Sequence, residues 1–153
     1  MQMTVGRRCF LSVVAILCGL VGSVGLARAD HQRVVDGIIV NIGVVPVAQA
    51  RVFPGESAVH GKTPTSGGQH LVVSLSDAKQ ATHIADAQVT VEIRDPKGNV
   101  EKKTLVPAMT AGTPDYSGIF YFGYSGKYAI HVVVVQKDSK KPVKADFAWT
   151  HVV

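Results

Sequence analysis

Gly126-Lys127-Tyr128-Ala129-Ile130-His131-Val132-Val133-Val134-Val135 decides how the rest of the chain is read. Four consecutive valines are poor helix material, because branching at Cβ costs rotamer freedom against the preceding helical turn. A pleated strand accommodates them well. There, Tyr128, Ile130, Val132 and Val134 share one face, and Ala129, His131, Val133 and Val135 the other. One face is wholly apolar and the second nearly so. The pattern predicts a strand covered on both sides, or a central strand with a shallow site on its second face. Gly126 supplies the corner by which the chain enters it.

Working outward, the same alternation recurs. Leu71, Val73 and Leu75 oppose His70, Val72, Ser74 and Ser76; Val89, Val91 and Ile93 oppose Gln88, Thr90, Glu92 and Arg94. Strands are expected at 38–45, 70–76, 87–94, 100–106, 119–123, 126–135 and 143–152. Asp95-Pro96-Lys97-Gly98-Asn99 is a turn by chemistry, and Lys137 to Pro142 is a second, basic turn. Residues 48–69, rich in Gly, Pro, Ser and Thr, read as a long loop, and 107–116 as another. No βαβ alternation is present, which argues against a parallel sheet. The expected fold is all-β: an antiparallel immunoglobulin-like β-sandwich of about seven strands. Tyr128, entering a late strand after Gly126, resembles the tyrosine corner of such sandwiches, in which the hydroxyl bonds backbone.

At the start of the chain, Arg7-Arg8 precede an apolar run from Cys9 to Leu26, and Ala27-Arg28-Ala29 follows as a small-x-small exit. This predicts a signal peptide at 1–29, helical in its apolar part, and an exported, periplasmic domain at 30–153. The run is nearly long enough to span a bilayer, so retention as an anchor is the alternative to cleavage. Gly6-Arg7-Arg8-Cys9-Phe10-Leu11 resembles a twin-arginine signal, with Gly6 where Ser or Thr is usual. Both cysteines leave with the leader, so the mature chain has neither disulfide nor thiolate. Arg7, Arg8 and Arg28 leave too, which brings a net charge of +5 down to +2. That balance gives no reason to expect nucleic acid as a partner.

Catalytic patterns are absent. His60-Gly61-Lys62-Thr63 ends like a phosphate-binding loop, but the required upstream glycine is one residue out and Pro64 follows. No Gly-x-Ser-x-Gly is present. Glu92 and Glu101 flank the 95–99 turn and are expected to sit across from each other, in a solvated setting unlike that of an acid–base pair. An enzyme is not expected. Histidine and methionine remain. Without thiolates, a transition-metal site would use imidazole and thioether donors, a set that favours copper. His70 and Met109 are the leading candidate ligands, with His60 and His131 behind them. The plainer reading makes His70 and His131 surface or packing residues and Met109 a gap-filler. Cleavage after Ala29 would also place His31 second from a free amine, a chelating arrangement for Cu(II). Phe120, Tyr121, Phe122, Tyr124 and Trp149 divide between the core and a strip that a partner could contact.

His70-Leu71-x-Val73, Asp86-Ala87-x-Val89-x-Val91, Pro107-Ala108-Met109, Gly118-x-Phe120-x-Phe122 and Gly126-x-Tyr128-x-Ile130 together resemble small exported immunoglobulin-like domains of the YtkA-like kind. The resemblance spans residues 70–135. It implies a periplasmic binding module of a sort associated with copper handling. The alternative is a metal-free scaffold that meets a periplasmic or membrane-protein partner.

Overall fold

The computed structural model describes residues 31–50, 67–110, 112–139 and 141–153. The expected signal peptide, His60 and most of the 48–69 loop lie outside the described residues. Among them, no helix is long and apolar enough to cross a membrane.

Among the described residues, nine strands form two antiparallel sheets: β1 (Gln32–Val35), β2 (Ile38–Pro46), β3 (Gly68–Asp77), β4 (Ala87–Arg94), β5 (Val100–Thr104), β6 (Val106–Thr110), β7 (Thr113–Tyr121), β8 (Gly126–Gln136) and β9 (Val143–His151). One sheet runs β1-β2-β3-β7-β6 and the other β5-β4-β8-β9. With β1 set aside as an added edge, this is the immunoglobulin-type arrangement. A single helical turn, α1 (Val47–Ala50), follows β2.

The 126–135 stretch is the third strand of its sheet, between β4 and β9, as the valine run required. Tyr128, Ile130, Val132 and Val134 are completely buried. Val89 and Val91 meet Val134 and Val132 across the β4–β8 register. Leu71, Val73, Leu75 and Val40 face them from the other sheet's inner side, in one continuous core with Tyr116, Phe120 and Phe122. Gly126 does turn the corner. Its φ of +139° lies outside ordinary L-residue space, and an added Cβ would sit 2.8 Å from Pro96 Cγ. The Tyr128 hydroxyl donates to the Tyr124 carbonyl at 2.9 Å and accepts the Tyr124 N–H at 3.1 Å. That is the anticipated tyrosine corner.

Three expectations need correction. Asp36-Gly37 does not merely interrupt an apolar segment. Both residues have positive φ, 49° and 80°, so they form a two-residue hairpin that pairs β1 with β2. Residues 107–116 are not a loop but most of the β6–β7 hairpin, with Val106 opposite Ser117 and Thr110 opposite Thr113. Thus nine strands replace about seven, and β3 begins at Gly68 instead of residue 70. Finally, Glu92 faces Lys102 across the β4–β5 register; Glu101 faces Ile93.

Leu105 alone separates β5 from β6, and so the chain passes from one sheet to the other at one residue. Its N–H donates to the Val89 carbonyl at 2.8 Å, and its side chain is buried. Gly118 makes room for it: a Cβ there would lie 2.8 Å from Leu105 Cδ2.

Candidate functional site

Outward-facing residues of a sheet are wet where nothing covers them, but on the β3–β7 pair several are buried. Leu71, Val73 and Leu75 point to the core, so alternation turns His70 away from it. His70 is nevertheless only 3% exposed, held between Val45 of β2 and Ile119 of β7. On β7, Tyr116 and Phe120 point inward, so Asp115 and Ser117 share the outer face with His70. Both are buried as well. Three of the four buried polar residues among those described therefore lie on one outward surface, the fourth being Gln69. Asp115 Oδ1 is buried without a hydrogen-bond partner. Burial of an unsatisfied carboxylate oxygen is costly, which marks the position as one needing a donor or a cation.

The sequence could have exposed Asp115, since Asp115, Ser117 and Ile119 alternate with Tyr116, Gly118 and Phe120. Pro107, Gly112 and Pro114 masked that signal by reading as loop.

The three candidate ligands among the described residues are dispersed. Met109 lies opposite Pro114, on the core-side parity of its sheet, and is 63% exposed at the β6 edge. Register puts it on the opposite face from His70 and five β7 positions along, roughly 19 Å away at ordinary strand rise and spacing. His131 occupies the outer face of the other sheet. There Nδ1 lies 2.6 Å from Asp146 Oδ1, with Glu92 as its β4 neighbour. His60 lies outside the described residues. Asp115 is four β7 positions from the His70 row, roughly 14 Å, too far for one ion to join them. Among the described residues, no group of three or more His, Cys, Asp or Glu is placed to hold a metal ion.

The other described histidines each meet a ring or a hydroxyl. His31 lies 5.2 Å from the Trp149 ring, and His151 lies 5.6 Å from Phe122 and 6.2 Å from Tyr128. His83 Nδ1 and Ser76 Oγ are 3.4 Å apart. The pKa shifts are structural too. Burial raises the Tyr128 and Tyr116 hydroxyls, against hydrogen bonds to Tyr124 and Ala87 that lower them. Backbone N–H groups of Gln80 and Lys79 hold Asp77 below the usual carboxylate value.

No family model matches the chain. A search of curated proteins finds no significant relative. Solved structures do match. The FetP protein of uropathogenic Escherichia coli, isolated from periplasmic expression, is 12% identical with a TM-score of 0.63, covering 79% of this chain and 92% of its own. Copper-reconstituted P19 protein from Campylobacter jejuni is 14% identical with a TM-score of 0.62, over 79% and 92%. A DUF4426 family protein from Pseudomonas aeruginosa is 14% identical with a TM-score of 0.62, over 80% and 95%. Asp86-Ala87 leads into β4 and Gly126-x-Tyr128 opens β8, whereas Met109 lies in β6 and not in the loop expected at 107–116. At such low identity, what this chain shares with FetP, P19 and the DUF4426 protein is the β-sandwich fold.

Proposed function

We propose that this chain is an exported, periplasmic domain that binds a transition metal, copper before iron or zinc, on the outer face of its five-stranded sheet. The observation that carries this reading is a buried imidazole, His70, on a face where alternation alone would leave it wet. Copper-bound neighbours of the same fold support the choice of metal. The reading takes its second imidazole from His60, whose segment adjoins β3 in sequence. Met109 and His131, on other surfaces, are set apart from this pair. Competition titrations of the mature protein with Cu(I) and Cu(II) test it. His70→Ala and His60→Ala each weaken binding by about tenfold or more, while Met109→Ala and His131→Ala leave it within about twofold. Unchanged affinity in the His70→Ala/His60→Ala double variant overturns the assignment.

A second reading, a metal-free module that meets a periplasmic or membrane-protein partner, draws on Val34 and Val45. They are 62% and 36% exposed, and both belong to the outer face of the same sheet. Crosslinking in cells addresses it. A protein that binds copper tightly and crosslinks to nothing counts against it.

A further inference from the structure

The outer surface of the four-stranded sheet, remote from the metal face proposed above, carries its own histidine. The alternation that buries Ile130 and Val132 turns His131 outward from the middle of β8. Register sets it directly between Glu92 of β4 and Asp146 of β9. One row across this surface therefore reads Lys102, Glu92, His131, Asp146. The His131 side chain is 44% exposed. In the next row, Ala129 and Ala148 are too small to cover the ring, so a hydrated ion can reach it.

The two flanking carboxylates are engaged differently. Asp146 Oδ1 lies 2.6 Å from His131 Nδ1. An ionised carboxylate only accepts hydrogen bonds, so the proton of this contact sits on Nδ1. In the neutral ring Nε2 then carries the lone pair, and the two nitrogens face different ways, so that lone pair is directed away from Asp146. On the side away from β9 stands Glu92, which makes no hydrogen bond or ion pair among the described residues.

A metal-binding imidazole is ordinarily built like this. A carboxylate holds its second ring nitrogen, fixes the tautomer and makes the ligating nitrogen more basic. Directly opposed residues of an antiparallel pair have Cβ atoms about 5 Å apart. A zinc ion about 2 Å from Nε2 and about 2 Å from a Glu92 oxygen is within reach of both side chains. Imidazole with a carboxylate suits zinc, whereas magnesium takes oxygen ligands. Only two protein donors are needed, because Asp146 acts through the ring; no three such groups converge among the described residues. Water fills the other positions, so the site is weaker than a closed one. Competitors that hold free copper low therefore keep it out of the copper titration above.

We propose that Glu92 and His131 form an open binding site for a divalent transition-metal ion of the zinc type, with Asp146 as the residue that positions the imidazole.

The test follows the histidine ring nitrogens of the ¹⁵N-labelled mature protein by long-range ¹H–¹⁵N spectra as zinc chloride is added, with magnesium chloride as the hard-cation control. The His131 signals are assigned by their loss in His131→Ala. Zinc moves His131 Nε2 saturably while Nδ1 keeps its proton, and magnesium does not. Glu92→Gln weakens binding by about tenfold or more. Asp146→Asn, which removes no donor to the metal, weakens it by about tenfold, the effect expected of a carboxylate that holds a ligating imidazole. Unchanged amide spectra away from the row show that both variants are folded. The readout is specific to His131, so it stands or falls apart from the copper reading, which rests on His70 and His60. No saturable shift at His131, coordination through Nδ1, an equal response of the exposed His31 ring, or undiminished affinity in either carboxylate variant overturns the proposal.

Discussion

Replacing Tyr128 by Phe removes one oxygen and leaves the ring. The ring is fully buried, stacked 4.3 Å from Phe122, so apolar packing is kept and the hydrogen bonds are isolated. Two are lost, one accepted from the Tyr124 N–H and one donated to its carbonyl. A net bond contributes about 1 kcal/mol, and a partner left unsatisfied costs about 1–3 kcal/mol. The Tyr124 groups lie near the surface, and water recovers part of the loss. A destabilisation of about 2 kcal/mol follows, equivalent to a Tm lowered by about 8 °C in a domain of this size. Urea unfolding is the assay. Its probe is the single tryptophan, Trp149, which is Tyr128's direct neighbour on β9. The midpoint falls and the slope m stays constant, because the surface exposed on unfolding is the same. A second signature comes from pH. The folded hydroxyl titrates above its unfolded value, chiefly through burial. The unfolded chain therefore loses its proton first, and stability falls as pH rises through about 10 and beyond. In Tyr128→Phe that alkaline decline is shallower. A stability loss under about 0.5 kcal/mol refutes the reasoning that the corner hydroxyl holds β8 in place.

Gly126→Ala forces an L side chain to a φ of +139° and brings Cβ against Pro96. A loss of about 1–3 kcal/mol is expected by urea unfolding, and a neutral result would mean the corner can relax. Asp95→Asn acts on the acid side. Some burial raises that carboxyl, but hydrogen bonds from the Asn99 side chain and from the N–H groups of Asn99, Lys97 and Gly98 outweigh it and hold the group below its usual value. Its contribution is present above the unfolded value near 3.9 and is lost as pH falls through the lower folded one. Denaturation midpoints at pH 7 and pH 3 should thus lie closer together in Asp95→Asn than in the native protein; an unchanged gap contradicts the attribution.

Much of the sandwich is legible in single strands. Val132 and Val134 announce a buried face because β-branching and alternation point the same way, and Val89 and Val91 repeat the pattern opposite them. What escaped is short or punctuated. β1 has only four residues, too few for alternation to register, and the Asp36-Gly37 hairpin signal was outweighed by the apolar residues around it. The β6–β7 hairpin hides behind Pro107, Gly112 and Pro114. The site was less legible still. Alternation places His70 outward correctly, but its burial depends on the whole assembly of neighbours. Likewise, only register separates Met109 from His70, because one residue along a strand exchanges the faces of a sheet.

Leu105 has a mechanical implication. A sandwich whose layers were joined only by slack loops could gape, one half melting while its counterpart survived. Here a buried leucine is the whole span between β5 and β6, and its amide is anchored to Val89. Prising the layers apart must pull on both at once. Amide exchange at Val91 and at Tyr116, on opposite sides of the interface, should accordingly report a single opening event of equal free energy.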